Sequence, residues 1–219
     1  MSKWEKSIPA FEELFLLYGE LEPNHFEKIK KACFEAKKSE ESANTQLAGH
    51  IVEEYKMTSI EDSTRQYIYS VLCDSHLLVD ELNDRKAAIN HSLLPGAKYK
   101  FSLDDVWCNF QKKHEFNPVH LHGGVISFIV FVNIPYNIDD ELSYFSGKDE
   151  SQSQASCLGF VKTLPNGSIT PTPIHVDKSF EGKILAFPSS TLHYVNPFFT
   201  SDDYRITVSG NVRCELLSS

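Results

Sequence analysis

Two histidines two residues apart, His120 and His122, lie in Pro118-Val119-His120-Leu121-His122-Gly123-Gly124, at the mouth of the apolar run Val125–Val132. In an extended chain residues i and i+2 project to one face, so both imidazoles aim into one pocket while Leu121 points away. Burying imidazoles there without partners would cost about 1–3 kcal/mol each in unsatisfied polar groups. A metal ion is one way to satisfy them and a ring of waters another; imidazole suits iron, copper, nickel and zinc alike. The paired glycines remove side chains beside the histidines, which leaves room for something other than protein. A third histidine, His193, sits in a second strand-like segment far down the chain, after Phe187-Pro188-Ser189-Ser190. The expectation is that these three imidazoles converge on one metal ion.

His-x-His spacing alone is common by chance, and a competing set exists. His175 and Asp177 in Thr172-Pro173-Ile174-His175-Val176-Asp177 have the same spacing. They rank below His120 and His122 because their surroundings, PTPIHVDKSFEG, read as an exposed connection rather than a buried strand. His25, His50, His76, His91 and His114 read as structural or surface residues.

The elements that must position these groups change character along the chain. Glu22-Pro23-Asn24 starts a helix over 24–38, with Phe26, Ile29, Ala32, Cys33 and Ala36 at helical spacing and proline tolerated in the first turn. Residues 11–21 fit a strand or a short helix. Residues 46–57 lean extended, with Ile51, Val52, Tyr55 and Met57 as candidate core. Thr58-Ser59-Ile60-Glu61-Asp62 carries a capping signature, and the apolar rhythm after it predicts a long helix to about residue 91, stopped by Pro95-Gly96. From Lys98 onward alternation takes over. Strands are expected at 98–111, 119–135, 157–164, 182–188, 192–195 and 204–216. Asn137–Ser156 reads as a polar loop or lid, and Pro165-Asn166-Gly167 as a turn. Helices first and seven or eight short strands after them indicate an α+β class with a jelly-roll or sandwich β part. The division expected is 1–97 mainly helical and 98–219 β, within a single domain over 1–219.

Composition narrows the classes. With 41% hydrophobic and 23% charged residues the chain has an ordinary globular profile. A formal charge of −9 gives no electrostatic case for nucleic-acid binding. Five cysteines, odd in number and without a C-x-x-C pair, argue against a disulfide framework and point to a reducing, cytoplasmic setting. No apolar run approaches the ~20 residues of a membrane span, and the charged N-terminus does not read as a signal peptide. The expected partner is a small-molecule or peptide substrate; the oligomeric state is open.

The late segment Lys183–Pro197 (KILAFPSSTLHYVNP), with Tyr204-Arg205-Ile206-Thr207-Val208-Ser209-Gly210-Asn211 after it, resembles the 2-oxoglutarate and iron(II)-dependent oxygenases. The resemblance covers roughly 98–214 and is strongest to an uncharacterised phage-type subgroup related to prolyl hydroxylases. Its marks are the early His-x-His, the apolar strand into Phe-Pro-Ser…His, the Arg-x-Thr strand a dozen residues later, and Trp107-x-Asn109 upstream. It implies a double-stranded β-helix (jelly roll, cupin-like) with N-terminal helices packed on it. It implies Fe(II) and 2-oxoglutarate as cofactors and a hydroxylase giving succinate and CO2, with peptidyl proline one candidate substrate; a phage origin would place it in the host cytoplasm. His120 and His193 then become iron ligands. His122 stands where most members carry a carboxylate, which leaves open whether it replaces that ligand or a carboxylate from elsewhere completes the site. Arg205, a planar fork matched to a carboxylate, and Thr207 on the same strand face would hold the distal carboxylate of 2-oxoglutarate, with Asn109 orienting cosubstrate or oxygen. For Arg205 the alternative is a surface salt bridge to Asp202 or Asp203. Two other classes stay open: a cupin-like metal enzyme that does not use 2-oxoglutarate, and a non-enzymatic β-sandwich binding protein.

Overall fold

The computed structural model describes residues 4–5, 17–44, 47–73, 99–145, 153–164 and 166–217. Strands β1 (Trp4–Glu5) and β2 (Leu17–Glu20) precede helix α1 (Pro23–Ser39), strand β3 (Glu54–Lys56) and helix α2 (Asp62–Cys73). The β part follows: β4 (Tyr99–Gln111), β5 (Asn117–His120), β6 (Ile126–Asn133), a short helix α3 (Ile138–Ser143), β7 (Leu158–Thr163), β8 (Ile169–Ile174), a 3-10 turn (Lys178–Phe180), β9 (Lys183–Pro188), β10 (His193–Val195) and β11 (Arg205–Leu216). Seven strands form one sheet in the order β1-β2-β9-β6-β11-β4-β3, and four form a second in the order β5-β10-β7-β8. The result is an α+β architecture whose β part is a double-stranded β-helix, with the helices on the outer face of the larger sheet.

Alternation in the central strands explains the layering. On β11, Ile206 and Val208 face outward; on β4, Cys108 and Phe110 do the same, and all four join a core with Ile29 and Cys33 of α1 and Ile68 and Leu72 of α2. The intervening positions are Arg205, Thr207 and Ser209 on β11 and Trp107, Asn109 and Gln111 on β4, and all six line an inner cavity. Strand β6 is apolar on both faces because it lies mid-sheet: Phe128 and Val130 meet the helices, while Ile129 and Phe131 join Leu158, Phe160 and Ile174 of the smaller sheet. Proline cannot donate to a ladder and is favoured on edge strands, or at a strand end as at Pro188 of β9. Pro118 accordingly lies in β5 and Pro171 and Pro173 in β8, the two edges of the smaller sheet.

Several boundaries differ from the sequence expectation. The strand expected over 119–135 is two strands that belong to different sheets. Gly124 makes the break, with φ +102, and a Cβ there would lie 2.6 Å from the Val212 carbonyl oxygen. The protein's own backbone therefore fills the space that this glycine vacates. Gly123 differs: nothing approaches its Cβ position within 4 Å, and it lines an open cavity. Thr58 does not cap a helix; its hydroxyl donates to Glu41 Oε2, and α2 starts at Asp62. The expected continuation of that helix to residue 91 lies outside the described residues. Val52 is 71% exposed, whereas Ile51 and Met57 are core. The segment around His175, read as a connection, contains β8. Residues 138–143 of the expected lid form α3. It is anchored by fully buried Glu141, whose carboxylate accepts from the Phe199 and Thr200 amides and from the Thr200 hydroxyl. Neither α3 nor Tyr144 and Phe145 lines a cavity that reaches the histidines.

Candidate active site

Strands β5 and β10 are antiparallel neighbours with His120 opposite His193. His122 follows in the loop after β5, held by its amide on the Ser189 carbonyl at 3.0 Å. The three rings approach with centroids 4.2 Å (His120–His193), 4.9 Å (His120–His122) and 5.0 Å (His122–His193) apart. One nitrogen of each lies within 4.8 Å of the others. Among the described residues no carboxylate joins the cluster.

The surrounding backbone selects the tautomer. His120 Nδ1 is 2.7 Å from the Pro118 carbonyl oxygen, and His193 Nδ1 is 3.0 Å from that of Thr191. A carbonyl only accepts, so both Nδ1 atoms carry the proton and both Nε2 lone pairs are free; such outer contacts orient metal-binding imidazoles. Burial, and the neighbouring rings after it, push His122 down to about 4 and His193 to about 3, and burial lowers His120 as well. At neutral pH all three are uncharged donors, the form a divalent ion takes.

Arg205 enters from the opposite sheet, 3% exposed and lining the same cavity. It makes no salt bridge to Asp202, which instead pairs with Lys113. Its five N–H groups are all engaged. Nε and one Nη reach Gln111 Oε1 at 2.9 and 2.7 Å, and the remainder meet Tyr136 Oη and the Ser156 and Asn196 carbonyls at 2.8–3.1 Å. Every partner is neutral, so a buried cation stands without a counter-charge, which favours an anion beside it. Gln111 Oε1 occupies the fork that a bidentate carboxylate would use. Gln111→Glu would place a carboxylate on that fork permanently. It is expected to raise the 2-oxoglutarate concentration needed for half-saturation by about tenfold or more, read by isothermal titration; unchanged affinity would place the anion elsewhere on Arg205.

Thr207 and Asn109 are cross-strand partners, and Asn109 Nδ2 donates to Thr207 Oγ1 at 3.0 Å and to Ser209 Oγ at 3.3 Å. His175 is not part of the cluster; its Nδ1 lies 3.2 Å from Cys157 Sγ, and Asp177 caps the 3-10 turn through the Ser179 amide.

Gln111 and Glu54 were not marked by sequence as site residues, because each is an isolated polar residue in an otherwise ordinary segment, and Tyr136 was read only as part of the start of the expected lid. Only the period-2 alternation of β4, with Trp107, Asn109 and Gln111 on one face, could have picked out Gln111. Glu53 and Glu54 show the same alternation on β3 and its approach. Burial opposes ionisation of Glu53, but Lys112, Lys37 and the Tyr204 hydroxyl outweigh it and hold its carboxyl at about 2. Glu54, 2% exposed and facing the cavity, is pushed up to about 7 by burial and then by Glu115. Since the folded carboxyl holds its proton above the unfolded value, Glu54 is destabilising above pH 7 and neutral in effect below about pH 4.5. Glu54→Gln should therefore be more stable than wild type at pH 8 by about 1–3 kcal/mol, with the gap closing toward pH 4.5 in urea denaturation.

Comparison with known proteins fits this geometry. Residues 105–211 match the family model described as "Putative 2OG-Fe(II) oxygenase". That segment, close to half of the chain, carries the pattern of the 2OG-Fe(II) oxygenases. The match runs from β4 to β11 and so includes all three histidines and Arg205. No curated protein sequence matches this chain. Similar solved structures include a prolyl-4-hydroxylase from Pseudomonas putida (TM-score 0.51, 15% identity, 93% of this chain and 95% of that one). A 2OG-Fe(II) oxygenase-family oxidoreductase from Burkholderia pseudomallei aligns with TM-score 0.53 and 10% identity over 96% and 92%. A viral collagen prolyl hydroxylase from Paramecium bursaria Chlorella virus-1, solved with 2OG, gives 0.50 and 13% over 92% and 97%. At these identities the likeness establishes the shared fold. The enzyme is a 2-oxoglutarate-dependent oxygenase, with Fe(II) and 2-oxoglutarate as its cofactors. Among the described residues no helix is long and apolar enough to cross a membrane.

Proposed function

We propose that His120, His122 and His193 hold the iron(II) of this oxygenase and that Arg205, with Thr207 and Asn109, holds 2-oxoglutarate beside it. The observation that carries the reading is the convergence of three uncharged imidazoles from one sheet opposite a buried, uncompensated guanidinium from the other. Bound iron and cosubstrate together supply oxidation of a C–H bond by dioxygen, with succinate and CO2 as coproducts. The chain's own residues do the positioning. The backbone carbonyls of Pro118 and Thr191 keep two imidazoles in the donor tautomer. Arg205 supplies positive charge in a site shielded from water, where a carboxylate is bound more strongly than at the surface. Three neutral ligands leave one more positive charge on the metal than two histidines and a carboxylate would, which also favours an anionic cosubstrate.

The substrate reaches the metal through a second, open cavity of ≈ 530 Å³ that shares Leu47, Trp107 and His122 with the inner one. Trp107, its ring 5.7 Å from that of His122, forms the wall between them. By likeness to the prolyl hydroxylases a peptidyl proline is the first substrate to test. Iron-loaded protein incubated with proline-containing peptides, 2-oxoglutarate and oxygen should yield succinate and a peptide heavier by one oxygen atom. Succinate without peptide oxidation would keep the oxygenase and reject proline, and no succinate under any condition would contradict the site assignment.

A further inference from the structure

One wall of the inner cavity presents oxygen acceptors that no group among the described residues satisfies. Asn109 Oδ1 and Asn117 Oδ1 are buried without a hydrogen-bond partner among the described residues. The Glu54 carboxyl, on a side chain 2% exposed, accepts no hydrogen bond among them either, and all three residues line the cavity that holds the histidines and Arg205. They sit together. Glu54 and Asn109 are cross-strand partners in β3 and β4. A Cβ on Gly49 would lie 1.9 Å from Asn117 Oδ1 and 3.5 Å from Glu54 Oε1, so the missing side chain keeps open the gap next to both oxygens.

Buried acceptors left without donors each cost free energy, so such a wall marks the place of a ligand. The ligand is not 2-oxoglutarate, which at neutral pH carries acceptors only and has no donor for the Asn109 and Asn117 oxygens. It has several N–H donors and a positive charge. We propose that Glu54, Asn117 and the free Oδ1 of Asn109, whose Nδ2 stays with Thr207 on the cosubstrate side, form a subsite for a guanidinium or primary ammonium group of the substrate, beside the Arg205 anion site in the same cavity. The proposal rests on the oxygenase reading above, because it names the class of molecule that the same cavity takes beside the metal. Substrates would then be cationic amines, free or borne on a basic side chain, and Arg205 on β11 and Glu54 on β3, two strands apart in one sheet, would sort anionic cosubstrate from cationic substrate.

The test uses zinc(II), a diamagnetic substitute for iron, with 2-oxoglutarate and the full chain, and propylguanidinium as the probe. The side-chain NH2 resonances of Asn109 and Asn117 should shift saturably with propylguanidinium and stay still with 1-propanol or propionate. Glu54→Gln, which keeps the shape and removes the charge, should weaken the probe by about tenfold or more. Gly49→Ala, which fills the gap, should do likewise, with circular dichroism confirming the fold of both. Absence of a saturable shift in wild type, equal binding by both variants, or an Asn117 amide already donating to Glu54 in the free protein would overturn the subsite. The cosubstrate is followed in the same samples through its own methylene signals. Propylguanidinium binding without 2-oxoglutarate binding would keep the subsite and contradict the oxygenase assignment; the reverse result would do the opposite.

Discussion

His193→Ala abolishes iron-dependent 2-oxoglutarate turnover and weakens metal binding by far more than the about 10–100-fold typical of losing an outer-shell partner. His193 is the most buried of the three imidazoles and lies directly across the strand pair from His120. Binding is read by equilibrium dialysis of iron(II) or by titration with a spectroscopic substitute such as cobalt(II). The same variant carries a stability signature with a defined sign. In the metal-free protein burial holds His193 near 3 and His122 near 4, against about 6.5 in the unfolded chain. The unfolded state therefore binds more protons through that window, and metal-free wild type loses stability as pH falls from about 6.5 toward 4. His193→Ala removes one of these groups, so its stability should fall less steeply over the same range. Saturating metal, which keeps protons off the same nitrogens in the folded state, should raise wild-type stability over this range and leave the slope at least as steep. A variant that binds metal normally would remove His193 from the ligand set.

Arg205→Lys and Arg205→Ala form the second large effect. The distal carboxylate of 2-oxoglutarate must displace Gln111 Oε1 from the fork; two charge-assisted hydrogen bonds at about 1.5–3 kcal/mol each, less the neutral pair given up, correspond to a loss in affinity of about tenfold or more in the alanine variant. Lysine keeps a charge but not the fork, and should recover only part of it. Removal of the guanidinium also strands the Ser156 and Asn196 carbonyls and the Gln111 amide, so Arg205→Ala should lose about 2–4 kcal/mol of folding stability. The two consequences separate with a cosubstrate analogue whose distal carboxylate is replaced by methyl. Wild type should strongly prefer 2-oxoglutarate over the analogue, and the alanine variant should bind both alike, a double-mutant cycle that a purely structural role would not produce.

The histidine cluster was legible because it is local. His120 and His122 share a face by the two-residue period alone, and the motif around His193 pointed to the third histidine through family likeness. The polar lining of the inner cavity was legible at Arg205 and Thr207 but not at Gln111 or in the Tyr136 contact to Arg205. These contribute through contacts from β4 and the turn after β6, and neither residue type signals such a role. Alternation on β11 and β4 is plain in the sequence, yet alternation ordinarily places polar residues toward water. Here helices cover the apolar face and the second sheet covers the polar one, so Asn109, Gln111 and Arg205 are buried. That inversion depends on the packing of α1 and α2, which no short window of sequence encodes. The same limit explains the fused strand expected over 119–135. The apolar pattern runs through Gly123-Gly124, while the need for φ +102 against the Val212 carbonyl appears only when β11 is in place.

The most direct measurement is an anaerobic optical titration of the metal-free protein, iron(II) first and 2-oxoglutarate second. The account predicts a visible charge-transfer band that needs both additions, is lost in His193→Ala, and in Arg205→Ala requires far more 2-oxoglutarate. A wild-type protein that binds iron tightly yet gives no band with the cosubstrate, or whose band survives loss of His193, would contradict it.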